Sequence, residues 1–152
     1  LMRSRLCRID QKGLTLLETL VAAVMSGILL AAAMPSLSGA LNAHQLQAAL
    51  RSTTNYVRVI RSIAVARNVQ SRLVVSADGR TLSTEVRSAG VWTAAGQPLV
   101  LDGGVVVSAV TPLAGLEFNP QGTTNAASTI SIQSAQGSTH TVSVSILGSV
   151  SS

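Results

Sequence analysis

Glu18 is the only charged residue in an apolar run that extends from Leu14 to Met34. A carboxylate set into a membrane-length apolar segment costs about 2.5–3.5 kcal/mol by insertion scales, so it marks a functional position whose partner should be a cation. The rest of the chain offers little for catalysis. His44 and His140 are the only histidines, and neither has a Cys, Asp or Glu at metal-ligand spacing. The single cysteine, Cys7, is preceded by no apolar stretch, which excludes a lipoprotein cysteine. Serine is plentiful, yet no Gly-x-Ser-x-Gly elbow occurs. Asp102-Gly103-Gly104 lacks the following lysine of a phosphate loop and reads as a turn. Asp78, Glu85, Asp102 and Glu117 fall on separate loops and strands, a thin basis for a calcium site. No catalytic residue, metal or cofactor is expected, and so no enzyme.

The element that must position Glu18 is the apolar run itself. At about 20 residues it is long enough, as a helix, to cross a hydrocarbon core. Residues 1–13 form a short leader in which Arg3, Arg5, Arg8 and Lys12 face Asp10 alone, so much of the net charge of +5 sits there. No charge follows the run until Arg51. By the positive-inside rule the N-terminus stays in the cytoplasm and the C-terminal part is exported. Residues 14–35 are therefore expected to be a single transmembrane helix. Two alternatives are an unprocessed anchor and an ordinary secretory signal with Ala31-Ala32-Ala33 as its cleavage site. The length of the run and the presence of Glu18 argue against the second.

Pro35 and Gly39 weaken the helix beyond the span, but its pattern continues. Leu46, Ala49, Leu50, Val57, Ile60 and Ala64 recur at helical spacing, so residues 36–68 are expected to be an amphipathic continuation. Arg51, Arg58 and Arg61 fall opposite that face. They form either a basic stripe for an anionic partner or, as we favour, a solvated helix face. From Val69 the period changes to that of strands. Asp78-Gly79 between two β-prone runs signals a hairpin, and turn signals recur at Ser88-Ala89-Gly90, Asp102-Gly103-Gly104 and Asn119-Pro120-Gln121-Gly122. Val142, Val144 and Ile146 alternate with Thr141, Ser143 and Ser145, as in a half-wet antiparallel strand. The fold class is α+β: a long N-terminal helix packed on a small antiparallel β domain spanning 69–152. With Tyr56, Trp92 and Phe118 as the only aromatics, the core must be largely aliphatic, and an aromatic platform for single-stranded nucleic acid is disfavoured.

Lys12-Gly13-Leu14-Thr15-Leu16-Leu17-Glu18 resembles the class III signal of type IV pilins and type II secretion pseudopilins, with Leu14 where phenylalanine is commonest. Arg61-Ser62-Ile63-Ala64-Val65-Ala66-Arg67-Asn68, Leu116-Glu117-Phe118-Asn119-Pro120-Gln121-Gly122 and the final strand to Leu147-Gly148 are similar to segments of the GspH/FimT minor pseudopilins. The resemblance implies cleavage between Gly13 and Leu14 by a prepilin peptidase and N-methylation of Leu14. It further implies an assembly role for Glu18 in a fibre at the bacterial inner membrane, with the C-terminal domain periplasmic. The partners implied are other minor pilins or pseudopilins in a tip complex that starts or caps a secretion pseudopilus or a type IV pilus. The alternative is a fibre-tip binding module for an exported substrate or DNA. DNA receptors of that group carry a basic Gly-Arg-x-Arg tail, whereas this chain reads Leu147-Gly148-Ser149-Val150-Ser151-Ser152, which lowers the DNA reading.

Overall fold

A computed structural model describes residues 15–112 and 115–152, with the side chains of 33–37 outside the description. The expectations for the leader, Gly13 and Leu14 therefore lie outside the described residues. Among the described residues one helix, α1 (Leu16–Arg67), is followed by nine strands. The chain divides into two compact units, Leu1–Ser38 and Gly39–Ser152.

In the first unit the helix begins at Thr15, whose hydroxyl and carbonyl both accept from the Glu18 N–H, at 3.3 and 2.9 Å. Thr19 and Ser26 return their hydroxyls to the carbonyls of Leu16 and Ala22, so neither needs water as a partner. Leu16, Leu17, Leu20, Val21, Val24, Met25, Ile28, Leu29 and Leu30 are all exposed. Among the described residues no helix is long and apolar enough to cross a membrane. The described side chains of the apolar run stop at Ala32, short of the expected 14–35 span.

In the second unit the helix buries Leu46, Ala49, Thr53, Val57, Ile60 and Ala64, a stripe at spacings of three and four. It ends at Asn68, which takes φ 53°, the left-handed conformation that asparagine tolerates. There the Asn68 and Val69 N–H groups donate to the carbonyls of Val65 and Ala64, satisfying two orphaned acceptors. Strands β1 (Gln70–Val75) and β2 (Thr81–Ser88) pair around the Asp78-Gly79 turn. Strand β3 (Val91–Ala94) folds back on β2, and β4 (Leu99–Val100) pairs farther along the same side of β2. β6 (Glu117–Phe118) returns to the far side of β1. A second antiparallel sheet has the order β5 (Val106–Thr111), β7 (Ser128–Gln133), β8 (Thr139–Val144), β9 (Val150–Ser151).

The two sheets and the helix stripe share one core. Phe118, Leu116, Leu82, Ile130, Ile132, Val142 and Val144 close on Val57 and Ile60, and Phe118 is the one aromatic ring sealed within it. The Gly79 turn links the sheets through its carbonyl, which accepts from the Val107 N–H at 2.8 Å. A Cβ at Gly79 would stand 2.6 Å from the Val107 carbonyl oxygen, so the close approach requires glycine there.

Candidate functional site

Glu18 stands at the third helical position, exposed, behind the Thr15 cap. Thr-x-x-Glu is the capping-box pattern, and a carboxylate in a first turn also gains from the positive end of the helix dipole. Thr15 thus belongs to the site, and the signal for it was in the sequence three residues ahead of Glu18. Among the described residues the only ion pair joins Arg72 to Glu85, so the Glu18 carboxylate has no charged partner within them.

The three arginines placed opposite the apolar stripe do not behave alike. Arg51 and Arg58 are exposed. Arg61 is half-buried and donates from Nε to the Gly122 carbonyl at 2.9 Å and from Nη2 to the Leu147 carbonyl at 3.3 Å. Gly122 and Gly148 sit at φ 75° and 76°. A Cβ on Gly148 would lie 2.1 Å from the Gly122 carbonyl oxygen and 2.8 Å from Arg61 Nε. Two glycine turns therefore close on one guanidinium. Buried Thr124 reinforces the junction: its N–H donates to the Ile146 carbonyl, and its hydroxyl lies within bonding distance of the Ser145 carbonyl. Three segments far apart in the sequence, around Arg61, Gly122 and Gly148, meet at this point.

The remaining polar groups are spread out. Asp78 caps its own turn, bonding the Ser76 hydroxyl and the Arg80 N–H, and these bonds hold its carboxyl below the ordinary carboxylate range. Glu85 is engaged by Arg72, whose guanidinium also lies 4.3 Å from the Trp92 ring centre. His140 lines a cleft of about 190 Å³ with Asn42, Gln47, Gln136 and Ser138, and His44 is exposed. Among the described residues no group of three His, Cys, Asp or Glu could hold a metal.

Residues 8–34 match the family model of the prokaryotic N-terminal methylation motif. The fold matches two minor subunits of known structure. The type IV minor pilin FimU of Pseudomonas aeruginosa is 20% identical, with a TM-score of 0.60 over 71% of this chain and 87% of that one. At that identity the likeness is one of fold. The minor pseudopilin EpsH of the Vibrio cholerae type 2 secretion system is 14% identical, with a TM-score of 0.58 over 70% of this chain and 94% of that one. Among curated proteins none matches by sequence. The N-terminal residues thus carry the methylation motif, and the fold is shared with a minor pilin and a minor pseudopilin. The candidate site is Glu18 with its Thr15 cap, at the start of a helix whose large apolar side chains are exposed.

Proposed function

We propose that this chain is a minor pilin or pseudopilin that is cut between Gly13 and Leu14, methylated on Leu14, and built into a fibre from the bacterial inner membrane. It helps to initiate or cap that fibre beside other minor subunits. Prepilin peptidase is the processing partner, and residues 14–35 are the single-pass anchor with the domain from 69 to 152 in the periplasm. Residues 36–68 continue the helix between them. The observation that carries this reading is the exposure of the large apolar side chains behind Glu18, in a chain whose residues 8–34 match the methylation motif. Such a helix suits a bilayer before assembly and a bundle of like helices after it.

Cleavage leaves a cationic amine on Leu14, one helical turn from Glu18. When helices pack in a staggered bundle, the amine of one subunit comes level with the carboxylate of the next. A carboxylate among apolar side chains is tolerated when paired and costly alone, so the pair sets the axial register. Binding of DNA gains little support, because Arg61 is committed to two carbonyls and leaves Arg51 and Arg58 as the exposed pair.

The test separates processing from assembly. Glu18→Leu is expected to be inserted and cleaved at Gly13, as read by intact mass, yet to be lost from cross-links to the other minor subunits. A Glu18→Leu protein that is cleaved and still assembles would refute the pairing mechanism. A mature terminus elsewhere than Leu14 would refute the subunit reading altogether.

A further inference from the structure

The β2–β3 hairpin carries a surface that the assembly reading leaves unused. Its two-residue turn, Ala89-Gly90, takes φ 51° and 84°, which fits the tight turn suited to a twisted hairpin. Ser88 pairs with Val91 and Val86 with Thr93, and the next step of the ladder is the Ala95 N–H bonding the Thr84 carbonyl at 2.8 Å. In an antiparallel ladder every second residue turns its N–H and C=O inward. Trp92 and Ala94, the alternate positions, therefore direct both backbone groups away from β2. Among the described residues no strand pairs with that side of β3.

The side chains around this edge have a definite character. Trp92 lies under two guanidiniums, Arg72 at 4.3 Å and Arg87 at 6.0 Å from the ring centre. The Arg72 charge is met by Glu85, at 2.7 Å. The Arg87 charge is not: its partner is the Gln70 amide oxygen at 3.3 Å, and its side chain is exposed. Val91 beside it is 63% exposed. A strand edge offering two N–H and two C=O groups, flanked by an aromatic ring and one uncompensated cation, fits an extended segment carrying a carboxylate.

We infer that the β3 edge is a docking site for an extended acidic peptide segment of another protein, added as a further strand alongside Trp92 and Ala94 with its carboxylate on Arg87. The inference does not depend on the pilin-like reading. Trp92 is the only tryptophan of the chain and so reports directly on occupancy.

The probe is a synthetic peptide, acetyl-Thr-Val-Glu-Val-Thr-amide, titrated into the full chain in detergent while Trp92 fluorescence is followed. Saturable change is expected, with affinity about tenfold weaker when the peptide Glu is replaced by Lys. Arg87→Glu is expected to reverse that preference. A backbone N-methylated peptide, unable to complete the ladder, is expected to lose binding while the circular dichroism of the protein stays unchanged. The site is refuted if millimolar peptide leaves the fluorescence of the folded protein unaltered. It is also refuted if the Lys and Glu peptides bind equally, or if β3 is instead closed by a second copy, seen as dimerisation that Arg87→Glu does not affect.

Discussion

The two halves of α1 obey opposite rules. Between Leu16 and Leu30 the large aliphatic side chains are exposed, whereas between Leu46 and Ala64 a single stripe is sealed against two sheets. The second half draws its stability from its own chain, through a core that includes Phe118 and Ile130. The first half buries no such core among its described residues. One helix thus combines a self-sufficient segment with a dependent one, and the residues that matter in each are of different kinds: shape in the second, apolarity and one charge in the first.

The sharpest way to break this comparison is a matched pair of truncations. Ile60→Ala, in the sealed stripe, should lower the stability of the β-bearing unit by about 2–5 kcal/mol. Leu29→Ala, 71% exposed in the first half, should change it by less than about 0.5 kcal/mol. Denaturant unfolding of the full chain in detergent, followed through Trp92, measures both; equal losses would mean that the halves are not independent. A smaller effect is expected at the junction held by Arg61. Gly148→Ala places a methyl group against the Gly122 carbonyl and should cost about 2–3 kcal/mol in the same measurement. The smallest effect has the opposite sign. Thr53 and Thr54 bury hydroxyls without a hydrogen-bond partner, a flaw inside the otherwise aliphatic stripe. Thr53→Val keeps the shape, removes the stranded hydroxyl and should stabilise the unit by about 1 kcal/mol.

Much of this architecture could be read from residue order. The spacing of Leu46, Ala49, Val57, Ile60 and Ala64 is a local property of a helix, and Asp78-Gly79 between two β-prone runs is a local property of a hairpin. The split into two sheets could not be read, because it depends on β6 returning to β1 while β5 joins β7 across the chain. Arg61 was grouped with Arg51 and Arg58 because a helical wheel records only angle. Its actual partners, the carbonyls of Gly122 and Leu147, lie 61 and 86 residues away. Trp92 looked like an ordinary strand residue, since only the pairing register brings Arg87 beside it. In the candidate assembly site the Glu18 charge was evident from the sequence. Its Thr15 cap belongs to the same local pattern, three residues ahead of it.

The junction of Arg61 with Gly122 and Gly148 has a consequence for how this sequence can drift. A shorter side chain at position 61 leaves the part-buried Gly122 carbonyl without its donor, and a side chain at either glycine collides with the guanidinium or with the facing turn. A replacement at one of the three positions therefore disturbs its contacts with the others. Helix end, middle turn and final turn should therefore change together or not at all, and among divergent relatives these three letters should vary as one inherited unit.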